Sequence, residues 1–156
     1  MMYINDIRTV AYGIRSYCEK AHMTEKQLDI VEQAISDLIF SVNNDDYETM
    51  LDKIVHISEG NKKIGNMLNF SLLPGFTCGY WAKRTCLCSG CYALKEIRYP
   101  AVLYNRVQNT IVAICAPGWI VNAFIRKIDR MKKKPDFVRF HEAGDFVTDQ
   151  YLDNII

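Results

Sequence analysis

Four cysteines fall within fourteen residues, Cys78, Cys86, Cys88 and Cys91, in the spacing Cys-x7-Cys-x-Cys-x2-Cys. A Cys-x2-Cys turn brings two thiolates to one centre because the intervening residues fold back, and Ser89-Gly90 suits that turn. Cys78 and Cys86 add the sulfurs needed for tetrahedral zinc or for an iron–sulfur cluster. Lys83, Arg84 and Lys95 are close in sequence and favour the thiolate form. The competing readings are a redox pair at Cys88 and Cys91, or incidental buried thiols. Cys18 and Cys115 occupy apolar helical faces and read as core.

A second group follows a short apolar run. In Phe137-Val138-Arg139-Phe140-His141, alternation puts Arg139 and His141 on one strand face and Val138 and Phe140 on the other. Glu142-Ala143-Gly144-Asp145 comes next, and Gly144 permits a tight turn that directs Asp145 back toward the strand end. His141, Glu142 and Asp145 are therefore candidate catalytic residues. The competing reading makes His141 a satisfied structural histidine and Asp145 a turn residue.

Elements must bring the two groups together. Residues 4–57 carry helical periodicity in three runs. Thr24 and Gln27 form a capping box ahead of the stripe Leu28, Val31, Ile35, Leu38 and Val42, and Asp45 with Glu48 can open the third helix. Gly60 suits a helix C-terminus in the polar linker 59–63. Met67 to Leu73 reads as a buried strand, Tyr99-Pro100 opens a helix to about Cys115, and Pro117 starts another running to Lys134. Phe137 to His141 is a second strand, and Thr148 caps a helix just begun. The fold class this predicts is α/β: a helical unit over 1–58, then a β-α-α-β parallel crossover over 61–156. Two parallel strands are few for a covered sheet, so that domain reads as the start of a larger, partial-barrel-like and C-terminally incomplete α/β protein. Parallel strands end on one rim, where the cysteine segment and the 141–145 loop would converge.

The start of the chain lacks a basic stretch followed by an apolar core, and the most apolar run, Thr110 to Ile125, is broken by Pro117, Gly118 and Asn122. The expectation is a cytoplasmic protein with reduced thiols and no membrane segment. The formal net charge of +1 hides an asymmetry: residues 1–60 hold 11 Asp/Glu against 5 Lys/Arg, a net −6, whereas residues 61–156 hold 7 against 14, a net +7. The parts could attract each other, or Arg126, Lys127, Arg130, Lys132, Lys133 and Lys134 could meet an anionic partner such as nucleic acid. The alternative is a solvated helix end.

Several motifs, in order, resemble the gene product 88 family of phages and mobile elements. They are Asn61-Lys62-Lys63-Ile64-Gly65-Asn66, Phe70-Ser71-Leu72-Leu73-Pro74, Thr77-Cys78, Cys91-Tyr92-Ala93-Leu94-Lys95, Arg98-Tyr99-Pro100 and Arg139-Phe140-His141-Glu142-Ala143-Gly144-Asp145-Phe146. The resemblance covers residues 61–156 and leaves 1–60 as an extra. The layout is in turn similar to radical S-adenosylmethionine enzymes. That likeness implies a cluster on Cys88 and Cys91 with Cys86 or Cys78, and Gly144-Asp145 binding the methionine end of S-adenosylmethionine. The regular cluster spacing would need cysteine at position 84, where Arg84 stands. Three functions follow as expectations: a metalloenzyme, a zinc-stabilised binding module for nucleic acid or protein, and an interaction protein acting through its N-terminal helices.

Overall fold

Helical spacing in the first third of the chain builds helices that bury one stripe each. The computed structural model describes residues 4–60, 65–78, 91–145 and 148–155. Helix α1 (Ile4–Lys20) buries Ile7, Ala11, Ile14 and Cys18, one residue per turn. Helix α2 (Glu25–Asn44) starts at the Thr24–Gln27 capping box and buries Val31, Ala34, Ile35 and Leu38. Helix α3 (Tyr47–Ile54) is capped by Asp46, not Asp45: its carboxylate accepts from the amides of Glu48 at 3.1 Å and Thr49 at 3.0 Å. Asp45 pairs instead with Lys53 at 2.8 Å.

The sheet is small. Strand β1 (Ser58–Glu59) lies antiparallel to β2 (Met67–Phe70), and β2 lies parallel to β3 (Phe137–Phe140) in register Met67–Phe137 to Phe70–Phe140, giving the order β1-β2-β3. Between β2 and β3 come α4 (Tyr92–Glu96), α5 (Pro100–Cys115) and α6 (Pro117–Arg130), and α7 (Asp149–Ile155) follows β3. Gly60, expected at a helix end, closes β1 instead, its amide donating to Met67 O at 2.7 Å.

The predicted α/β class is corrected by this architecture. The described residues form seven helices and only three short strands, and the fold is mostly helical, with 64% helix against 8% strand. The physical reason lies in where apolar mass is buried. One cluster runs through Ile14, Ile35, Leu38, Leu51, Val107, Ile111 and Phe124, and takes in strand residues such as Leu68 and Phe70 as a minority. Burying each such side chain stabilises by about 1.5–3 kcal/mol, so helix-on-helix contact carries most of the core. The parallel pair is a lining on that helical core, not the first two staves of a barrel. Buried residues of 1–58 and of 61–156 lie in the same cluster.

Candidate metal-binding rim

Helix α5 holds the segments that reach the rim. Its residues 106–113 are all buried, including Arg106, Gln108, Asn109 and Thr110. Buried polar groups must find partners, and Asn109 and Thr110 find theirs on irregular backbone. Asn109 accepts from the His56 amide at 2.8 Å and donates to His56 O at 2.9 Å and Ser71 O at 3.1 Å. Thr110 Oγ1 accepts from Leu73 N at 2.9 Å while donating to Arg106 O at 2.7 Å. Gln108 donates to Ala34 O at 2.8 Å, and its Oε1, an acceptor only, lies 2.6 Å from His56 Nε2, which puts the ring proton there. Burial holds the His56 pKa below its ordinary value. Residues 71–73, which lead into the cysteine segment, are thereby fixed from inside the core.

The segment's described ends are fixed as well. Tyr17 of α1 donates to Pro74 O at 3.0 Å, and its ring lies 5.8 Å from that of Phe76. The Thr77 hydroxyl donates to Leu73 O at 3.0 Å. Cys78 and Cys91 are free, partly exposed thiols, while Cys86 and Cys88 lie outside the described residues. Burial raises the Tyr17 phenol pKa. Cys91 sits at the N-cap of α4 without spending its side chain on a cap bond. Arg106 secures α4 by donating to Ala93 O at 3.1 Å and pairing with Glu96.

Residues 141–145 meet these ends directly. Leu72 N donates to Ala143 O at 2.9 Å, Asp145 N to Thr77 Oγ1 at 3.3 Å, and Tyr92 OH to Glu142 O at 2.8 Å. Gly144 has φ +84°, and a Cβ there would come within 2.6 Å of both Leu72 Cβ and Thr77 Oγ1. Its place in the motif therefore has a packing reason of its own. Cys78, Cys91, Glu142, Gly144 and Asp145 share one rim, as the parallel pairing requires.

His141 departs from the expected alternation. It lies past the end of β3 with a φ of +63°, so the strand's alternation does not extend to it. Its Nε2 lies 2.9 Å from the buried Tyr151 hydroxyl, the rings 5.5 Å apart, which ties the loop to α7. Burial pushes its pKa down to about 4, with Asp145 pulling the other way, so the ring is neutral at neutral pH. Arg139 points toward Glu142 at 3.7 Å.

A cleft of about 850 Å³ opens beside the rim, lined by Asn69, Ser71, Glu96, Arg106, Lys127 and Glu142 among others. The basic run lies along its far side and is largely matched within the fold. Arg126 pairs with Glu48 at 2.8 Å and Asp52 at 3.4 Å, and Arg130 with Asp52 at 2.7 Å. Lys127 donates to Ile57 O at 2.8 Å. Lys134 folds back on Ile128 O at 2.7 Å, and α6 ends at Arg130, short of the expected Lys134. Lys132 and Lys133 are exposed. The acidic first part and basic second part meet at the α3–α6 seam.

Sequence reasoning missed Tyr17, Asn109 and Thr110, whose partners stand far away in the chain. Cys18 and Cys115, read as core, are packed in or against it, and burial pushes their thiols up to about 12 and about 11. Among the described residues no three His, Cys, Asp or Glu side chains gather as a metal site, and no helix is long and apolar enough to cross a membrane. The radical-enzyme layout finds no support: among the described residues the sheet has one parallel pair, and Leu72 and Thr77 fill the space beside Gly144.

Neither a curated protein nor a solved structure matches the chain. The family model described as gene product 88 matches residues 38–156, so the likeness begins within α2 and includes α3, earlier than the motifs from Asn61 onward indicate. With the rim, its α5 supports and the α3–α6 seam all inside that match, the chain belongs to the gene product 88 family.

Proposed function

We propose that this phage- or mobile-element-type protein binds a zinc ion or an iron–sulfur cluster through Cys78, Cys86, Cys88 and Cys91. The carrying observation is that Cys78 and Cys91, thirteen positions apart, are free and partly exposed, and that their neighbours Thr77 and Tyr92 both bond the 142–145 loop. Two such thiols at the ends of one segment fit the donor set of a thiolate centre. When bound, the centre would supply either structural cross-linking or electron-transfer chemistry. Around it the chain's own groups have separable tasks. Tyr17 and Thr77 hold the segment's start, Arg106 holds α4 behind Cys91, and His141 anchors α7 through Tyr151. Glu142 lines the cleft, so its carboxylate is available to hold or move a proton for a molecule there, while Asp145 ties the loop to Thr77 through its amide.

Anaerobic purification with metal and acid-labile sulfide analysis tests the reading. Iron with sulfide selects the cluster, and stoichiometric zinc without iron selects the zinc-stabilised module. Cys78→Ser and Cys91→Ser should each lose most of the metal, whereas Glu142→Gln and Asp145→Asn should retain it. A wild-type chain that takes up neither metal sinks the proposal.

A further inference from the structure

A second concavity, of about 310 Å³, lies between the α1–α2 turn and α4, with Tyr17, His22, Met23, Leu94, Lys95 and Arg98 on its lining. Its charge differs in kind from that of the large cleft. There Arg106 faces Glu96, Arg130 faces Asp52 and Lys127 is bound to a carbonyl. Here Lys95 and Arg98 share a lining with no Asp or Glu among its described residues, and no ion pair among the described residues involves them. Arg98 uses one amino group on the Tyr99 hydroxyl at 2.9 Å and lies over that ring at 4.9 Å, leaving further N–H donors. Cations gathered around a low-dielectric concavity without counter-charges raise the local potential for an anion. The N-terminal end of α2, a 20-residue helix opening at Thr24, adds to that potential.

The remaining lining fixes the rest of the ligand. Ala21, Met23, Leu94 and Ile97 are apolar, and Gln27 is already engaged with Thr24 and with Ile97 O. The pocket thus offers positive charge at its mouth, hydrocarbon along its walls and few free neutral polar groups. We propose that it binds a small organic anion, a carboxylate with a short aliphatic body, through Lys95 and Arg98 on the charge and Met23 and Leu94 on the hydrocarbon. Tyr17 is common to this pocket and to the cysteine segment, so the ligand sits against the wall of the candidate metal centre. The assignment stands whatever the cysteines hold.

Titration of the full chain with butyrate, followed by amide chemical shifts, should give saturable binding in about the millimolar range, with shifts confined to residues 17–27 and 91–98. Butyramide, the same shape without charge, should not bind, and inorganic phosphate should bind more weakly than butyrate. The double variant Lys95→Gln/Arg98→Gln should bind about tenfold more weakly, and Arg98→Lys should retain most of the affinity. Unfolding temperatures of the variants separate lost binding from lost structure. Equal binding of butyramide, shifts spread over the surface, or an unchanged affinity in a folded double variant overturns the proposal. Phosphate binding as tight as butyrate overturns its aliphatic part.

Discussion

The α3–α6 seam and the cysteine rim are held by opposite means. At the seam, exposed or half-exposed charges meet: Glu48 and Asp52 of α3 against Arg126 and Arg130 of α6. At the rim, neutral buried groups meet backbone: Asn109 on His56 and Ser71, Thr110 on Leu73, Thr77 between Leu73 and Asp145. Exposed ion pairs are worth little individually because water screens them and long side chains lose entropy in forming them. A buried donor or acceptor that loses its partner costs its full desolvation. The seam therefore sets which faces associate, whereas the rim sets position to within ångströms.

Gly144→Ala should break the rim hardest. The added methyl must displace Leu72 or Thr77, in a backbone conformation L-residues avoid, and a loss of about 3–5 kcal/mol in denaturant unfolding is expected. An unfolding midpoint within error of wild type would show that the rim is loose. Asn109→Ala comes next, at about 3 kcal/mol, because it strands the His56 amide and two carbonyls at once. Thr110→Val, which strands the Leu73 amide alone, should cost about 1–2 kcal/mol, and equal losses in the two variants would contradict the accounting.

Acid should loosen the rim as pH falls from 6.5 toward about 4. His141 takes its proton in the unfolded chain near pH 6.5 but in the folded chain only near 4, so the unfolded state binds more protons in between. Its contribution is fully present above 6.5 and is lost as pH falls toward 4. His141→Gln should flatten that part of a melting-temperature profile, leaving the residue due to His56, which burial also holds down. The smallest effect belongs to the seam: Asp52→Asn should cost about 0.2–1 kcal/mol and nothing measurable in molar salt. A larger, salt-independent loss would mean that the seam is buried in function and the contrast with the rim is false.

What the sequence made readable follows the same division. The helices of residues 4–57 and 100–130 announced themselves because periodicity and caps are local, the Thr24–Gln27 box and Pro100 and Pro117 at helix starts among them. β1 was not visible, since two exposed residues become a strand only against the edge of β2. The balance between sheet and helix was misjudged for a related reason: parallel strands can be inferred in order, but not how little of the core they form. At the rim, convergence of the 70s and 140s loops was legible from topology. The turn at His141 was not, because its positive φ is set by Tyr151 and the Phe70 carbonyl, not by neighbours in sequence. Tyr17 was equally silent: an aromatic on an apolar stripe gives no hint of a carbonyl 57 positions away.

One hydroxyl joins the two halves of the rim. Thr77, one residue before Cys78 in the chain, receives the Asp145 amide on its Oγ1 and gives its own hydrogen to Leu73 O. The backbone that carries Asp145 and the backbone that leads into Cys78 therefore share one oxygen. Replacing that oxygen with a methyl, as in valine, would leave the loops joined through Leu72 and Ala143 and through Tyr92 and Glu142.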